Sequence, residues 1–581
     1  MLCGYVGKEV MSQTFQFASG LRPTLFIGHK RGTMMKSMKM IFVIILLMGV
    51  FLFLGPPRDL AAGGEVLRIA FDAADITDLH PHFAHTTQDR GIVHLLFTGL
   101  VRYKTGDIGK FEPDLAERWE VSKDGLTWTF HLRRGVMVHP WKDNPGYELT
   151  SEDVVYSFKS AADSKGSAWA AEYAGMTFEA VDKYTVRITL KKPLSELLFL
   201  PKVADYAGGL IIPKKPAEEL GEGFRTHPVG TGPFIFNKYL PKEKIITVRH
   251  EKFYRGVPKL AGVEVFFMPD LSSRKFGLQS KELDVIEGPP SQPWVEEMQA
   301  LPGVKVNVFG PGEAGVLHFN IAKKPFDDIR VRRAVAYVLS RDEVVTAIGK
   351  AIAEPVYSEI PNPQPGWITR EELVTRGKKD GKDYLYDFDR EKARKLLAEA
   401  GFPKGFTTEI YLTERGEYQV PMQNVVAQLR ESGINVKLNV VDHSTYHHNI
   451  RADMNTIVLY NCWRPTADVR LTHFYHSGSI VVTGKKPITN FSHVGAVDAD
   501  GDGKVDSVDS LIETARDMLD AQGQLARWKE AQLKLLDWCV SYPVFIKRFT
   551  FARQDYVDWG YDLKSTLILS PQINELTKVT K

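Results

Sequence analysis

The chain has 581 residues, too many for one ordinary domain, and its 44% apolar and 25% charged content is that of a globular protein rather than a disordered or fibrous one. Its formal charge is +3, but residues 1–62 carry seven basic and two acidic side chains, leaving 67 basic against 69 acidic in the remainder. A nucleic-acid surface therefore has no support from charge, and three cysteines, Cys3, Cys462 and Cys539, are too few for a disulfide scaffold.

Residues 41–54, IFVIILLMGVFLFL, are an unbroken apolar run behind Lys36 and Lys39. The run is short for a spanning helix and suits the core of a signal peptide, with Gly55-Pro56-Pro57 ending it and small residues at 61–64 where a peptidase could cut. An uncleaved membrane anchor is the alternative. In both cases residues 1–63 are a leader, begun at Met1 or at Met34, Met35 or Met38, and the rest of the chain lies outside the cytoplasm. No cysteine follows the run, so a lipid-anchored start is not written.

Residues 66–71, VLRIAF, read as a buried strand, and a helix follows over 87–96. Leu126, Trp128, Phe130 and Leu132 alternate onto one face, a strand entered through the turn Lys123-Asp124-Gly125. Thr150 begins a helix whose apolar face is Val154, Val155 and Phe158. Val186, Ile188 and Leu190 give another strand. Residues 228–234, PVGTGPF, are a glycine turn; no Lys-Ser/Thr and helix follow, so they are not a phosphate loop.

Residues 315–345, GVLHFNIAKKPFDDIRVRRAVAYVLSRDEVV, run from an apolar strand through Lys324-Pro325 into a helix that begins near Asp327 and Asp328. Val331, Ala334, Val335 and Val338 give that helix one buried face, and acidic residues at its start suit the helix dipole. Beyond it, residues 389–401 form a helix stopped at Gly401. Residues 406–412 and 436–441 are strands with a helix between them, a βαβ pattern. Residues 457–460 are a further strand, and 542–546 carry the chain back.

The blocks DLAERWEVSKDGLTWTFHLRRGV, LTSEDVVYSFK, PVGTGPF, FYRGVPKL, FN-x4-PFDD-x-RVRRA, DREKARKLLAEAG and QLRESGINV, in this order, resemble the extracytoplasmic solute-binding proteins of family 5, the peptide/nickel type. The resemblance implies an α/β, two-lobe periplasmic-binding-protein fold of type II, peptide-binding class, with an extra subdomain in lobe one. Lobe one would span 64–318 with a C-terminal return at 547–581, and lobe two 319–546. Hinges would lie near His318 and Lys547. The implied function is not enzymatic: the substrate-binding component of an ABC importer, a monomer that closes on a peptide-like solute and delivers it to a membrane permease with its ATPase. Oligosaccharide, nickel chelate or haem remain open as ligands, as does an extracytoplasmic receptor or enzyme on the same shell. No Gly-x-Ser-x-Gly, His-Glu-x-x-His or dinucleotide fingerprint is present.

The stretch Tyr460-Asn461-Cys462-Trp463-Arg464-Pro465-Thr466-Ala467-Asp468 resembles the ligand-facing segment of the peptide binders. Asp468 is thereby the candidate anchor for a peptide amine, with Trp463 and Tyr460 as cleft wall. Arg464 and Pro465 lengthen the Trp–Asp spacing relative to that pattern, and a structural turn is the competing reading.

Residues 498–509 match a twelve-residue calcium loop. Asp498, Asp500, Asp502, Asp506 and Asp509 fall at positions one, three, five, nine and twelve, Gly503 sits at the sharp turn, and Lys504 offers its carbonyl. Asp at the last position resembles dockerin-type calcium repeats, yet a single copy argues against a cohesin-binding module. The expected role is structural, pinning the helix that follows; an acidic turn capping that helix is the alternative. His80, His82 and His85, and His443, His447, His448, His473 and His476, match no closed metal motif and read as ordinary polar residues, although imidazole suits nickel or zinc.

Overall fold

The computed structural model describes residues 64–581 apart from His85, Ser164 and 482–488. The leader and its apolar run lie outside the described residues. Among the described residues no helix is long and apolar enough to cross a membrane.

A nine-stranded sheet runs through the molecule. From one edge its strands are Ile457–Cys462, Val304–Phe319, Ser541–Gln554, Val285–Gly288, Val66–Phe71, Gly262–Phe267, Lys244–Arg249 and Phe234–Leu240, with Ala353–Pro355 added beside Ser541–Gln554. Val66–Phe71 is parallel to both of its neighbours, and the other pairings are antiparallel. Residues 315–319 are therefore only the end of a 16-residue strand, Val304–Phe319. Its partner, Ser541–Gln554, runs beside it from Val304↔Gln554 to His318↔Ser541. The helix after it is Ile329–Val338, and Asp328 stands one place ahead of the first turn, accepting from the Arg330 N–H at 2.8 Å.

The buried apolar side chains divide at these two long strands. One core draws on residues 67–309 and 551–573. A second draws on residues 317–545, joined by Leu198. The molecule is thus a two-lobe α/β fold whose lobes share one sheet. The register between the long strands breaks between Phe309 and Glu313, at Gly310-Pro311-Gly312, where Glu313 resumes opposite Lys547, and slips again between Gly315 and Val316. Both irregularities lie ahead of His318, which is buried against Phe474, Tyr475 and Phe491 inside the second core.

The first lobe carries a separate four-stranded sheet, Ala116–Val121, Thr127–Leu132, Thr185–Thr189 and Thr177–Asp182 in spatial order. Trp128, Phe130, Val186 and Ile188 form its covered face, as the two-residue alternation dictates. In the second lobe Phe406–Thr413 and Ile434–Val441 pair in parallel around the helix Gly416–Arg430. Cys462 and Cys539 are both buried free thiols.

Candidate functional site: an aromatic wall between the lobes

The strand Ile457–Cys462 is buried along its whole length and lies against the crossing strand, with Tyr460 opposite Val316 and Cys462 opposite Ala314. Where it ends, Trp463 leaves the second lobe and meets Tyr206 of the first, edge to face, with centroids 6.3 Å apart and planes at 72°. The Arg90 guanidinium lies 5.2 Å over the Tyr206 ring and 5.8 Å over Trp169, a favourable charge–quadrupole arrangement. The indole nitrogens Nε1 of Trp169 and Trp463 are both inaccessible and have no hydrogen-bond partner among the described residues.

The three side chains expected to face the ligand are placed differently from one another. Trp463 stands in the wall. Tyr460 is only 8% exposed and packs in the second core against Phe474 at 5.5 Å and Phe491 at 5.4 Å. It is a floor residue rather than an open wall, because both faces of its strand are covered. Asp468, in the first turn of the helix Ala467–Tyr475, does not present a free carboxylate: its Oδ1 lies 3.1 Å from Arg516 Nε. Burial raises the Asp468 carboxyl despite the attraction of Arg516. Arg464 turns back, donating to the Trp463 carbonyl at 2.8 Å, with its guanidinium 5.3 Å over Phe474. Sequence reasoning missed Arg90, Trp169 and Tyr206, which are distant in the chain and belong to no motif.

The acidic loop folds on itself. Asp498, Asp500 and Asp506 bring one oxygen each within 4.8 Å of the others. Asp498 accepts from the N–H of Gly501 and of Gly503, both at 2.7 Å, which lowers its carboxyl. Burial and, further down, the Asp500 charge push the Asp506 carboxyl up. The other expected ligands face elsewhere: Asp502 pairs with Lys504 Nζ at 3.2 Å, and Asp509 accepts from Ser477 N at 2.9 Å and from its hydroxyl. The loop is tied to the crossing helix by Arg332, a fully buried guanidinium that donates to the carbonyls of Ala499, Phe326, Asp327 and Trp538.

The histidines separate. His82 is fully buried and bonds the Leu210 carbonyl at 3.0 Å, while His85 lies outside the described residues. His473 takes the Arg464 Nε–H, and His476 lies 3.3 Å from Glu513. His443 and His447 come together, with Nε2 atoms 3.1 Å apart. Burial is the chief cause that lowers both imidazoles, that of His447 to about 4.

The fold is that of a two-lobe α/β protein, and comparison with known proteins says which family it belongs to. Residues 110–480 match the model of bacterial extracellular solute-binding proteins, family 5, middle region. The chain belongs to this family. Haem-binding protein A of Haemophilus influenzae is 31% identical over 385 residues, 61% of this chain and 66% of that protein. The dipeptide-binding protein of Escherichia coli is 33% identical over 353 residues, 56% of this chain and 61% of that protein. The chain thus spans just under two thirds of the length of these two relatives. Among solved structures, MoaA of A. tumefaciens R10 in complex with mannopinic acid is 35% identical with a TM-score of 0.66, over 89% of this chain and all of that one.

Proposed function

We propose that this protein is the substrate-binding component of an ABC importer, capturing a peptide-like solute between its lobes and delivering it to a membrane permease with its ATPase. The observation that carries the reading is the aromatic wall, because Trp463 comes from one lobe and Tyr206, Trp169 and Arg90 from the other. A solute seated there touches both lobes, so its binding favours the closed state over the open one. The ring faces of the wall accept varied side chains, as a peptide binder requires. Asp468 takes the peptide amine by exchanging Arg516 for it. The ligands for which these relatives are named or solved, haem, dipeptide and mannopinic acid, mark the range from which this one is drawn.

Export fits the same role: the apolar run at 41–54 acts as a signal peptide, or as an uncleaved anchor, and the protein works outside the cytoplasm as a monomer. The bend at 310–312 and Lys547 supplies the hinge between lobes spanning 64–318, with 547–581, and 319–546. The convergence of Asp498, Asp500 and Asp506 favours a structural calcium ion in the loop.

The test is to export the protein with its own leader, purify it without refolding, denature it and identify the released solute by mass spectrometry. Peptides support the reading. A released sugar conjugate or haem moves the ligand class while keeping the binding role, and a solute returned chemically altered turns the reading to an enzyme. Unchanged peptide uptake after deletion turns it to a receptor.

A further inference from the structure

His443 and His447 lie at the carboxyl ends of the parallel strands Phe406–Thr413 and Ile434–Val441, the side of an α/β sheet on which ligands gather. They are four residues apart on the helix His443–Arg451, so they share a face. Their rings stand at 81° with centroids 4.4 Å apart, and the two Nε2 atoms approach to 3.1 Å. Metal–imidazole bonds are about 2.0–2.1 Å long, and two of them meeting at between a right angle and the tetrahedral angle place the nitrogens roughly 2.9–3.4 Å apart. We propose that His443 and His447 chelate a divalent transition-metal ion of the nickel, copper or zinc type, independently of the peptide-like solute.

The surroundings prepare the first of these ligands. His443 Nδ1 lies 3.1 Å from Thr413 Oγ1, whose own hydroxyl donates to Glu414 Oε2 at 3.0 Å. The Thr413 oxygen therefore accepts from Nδ1–H, and His443 Nε2 carries a lone pair. A partner on the far nitrogen is the usual means of fixing a ligating imidazole. Without metal, His447 Nε2–H donates to that lone pair. With metal, the proton moves to His447 Nδ1 and both Nε2 atoms ligate; no proton is lost overall, but among the described residues Nδ1 has no acceptor and is inaccessible, so the metal bond has to offset the cost of that buried N–H. Tyr418 packs 5.9 Å from His443 and Tyr460 5.8 Å from His447, so the rings are held, and both histidines are partly exposed. The imidazole donor pair suits this class of ion over calcium or magnesium.

The experiment uses the full chain without a polyhistidine tag, stripped with chelator, held in calcium to occupy the acidic loop, and titrated with nickel chloride by calorimetry. One nickel per chain is expected, with affinity lowered at least tenfold in His443→Gln and in His447→Gln, each of which keeps a polar side chain in place, and unchanged in His448→Gln. Nickel binding that is the same in the double variant as in the parent overturns the proposal, as does an equal loss in His448→Gln. Copper-loaded parent protein gives a second readout: electron paramagnetic resonance should show coupling to two imidazole nitrogens, and coupling to one or none overturns the proposal without recourse to any variant.

Discussion

Arg516 holds Asp468 in an ion pair, its Nε 3.1 Å from Oδ1, while its Nη2 donates to Thr472 Oγ1 at 2.7 Å. The carboxylate that would anchor a peptide amine is therefore already occupied by a cation, and a ligand amine has to displace it. Asp468→Asn is expected to weaken peptide binding at least tenfold, about 1.4 kcal/mol, and Arg516→Gln to strengthen it, both read by calorimetry. If the pair is only structural, both variants keep their affinity and lose thermal stability together, by no more than about 1 kcal/mol because Arg516 is about a third exposed.

Asp284 is the carboxylate on which the chain ends of the first lobe converge. It accepts from Arg68 N at 2.9 Å, Arg68 Nε at 3.1 Å and Tyr556 OH at 2.8 Å, and its side chain is fully buried. Burial alone would raise its carboxyl, but the hydrogen bonds from Arg68 and Tyr556 prevail and hold it below the ordinary 3.8. A depressed native value means that the stabilisation is present above about pH 3.8 and is lost as pH falls below it. Asp284→Ala is expected to cost about 3 kcal/mol at pH 7, since it strands a partly buried Arg68. Urea melts at pH 7 and pH 3 check this: the gap between parent and variant should narrow in acid, and a constant gap would refute the assignment.

The fold was legible in the sequence where pattern and wording agreed. The alternation of Trp128, Phe130, Val186 and Ile188 gave the subdomain sheet, and the apolar runs at 406–412 and 436–441 gave the parallel pair. The length of the crossing strand was hidden because Gly310, Pro311 and Gly312 interrupt its strand character, although the neighbouring strand carries the register past them. The site was less legible. Trp463 was visible through its neighbours in sequence, but Arg90, Trp169 and Tyr206 reach it only through folding. Asp468 gave no sign of Arg516, which lies 48 residues on, and the burial of Tyr460 depends on a second covered face that a six-residue strand does not announce.

Gly312 sits at the bend in the crossing strand with φ +73°, and a Cβ there would stand 2.5 Å from the Lys547 carbonyl oxygen and 2.9 Å from Ile546 Cγ1. Gly312→Ala therefore meets strand backbone that cannot give way cheaply, in addition to the roughly 1–2 kcal/mol cost of a left-handed alanine. Gly135, with φ +72° and nothing within 4 Å of the added carbon, isolates the conformational part. Gly312→Ala should lose clearly more stability than Gly135→Ala and should weaken ligand-induced compaction in small-angle scattering. Equal losses, with compaction intact, would remove the bend from the hinge.

The acidic loop offers the sharpest separation of two readings. If Asp498, Asp500 and Asp506 hold calcium, the ion binds the folded chain alone, and calcium at a hundred times its dissociation constant stabilises by about 2.7 kcal/mol. Asp500 is exposed, its backbone N–H bonds within the loop, and its carboxylate accepts from the Asp502 N–H at 3.1 Å. Asp500→Ala should therefore leave the calcium-free melting temperature unchanged and abolish the calcium-dependent rise. Asp509, whose carboxylate accepts from the Ser477 backbone and hydroxyl, should behave in the opposite way, with Asp509→Ala lowering the melting temperature whether or not calcium is present. Melting curves in chelator and in millimolar calcium decide the matter. A parent protein indifferent to calcium would leave the loop as an acidic turn, fastened to the crossing helix by Arg332 through the Ala499 carbonyl.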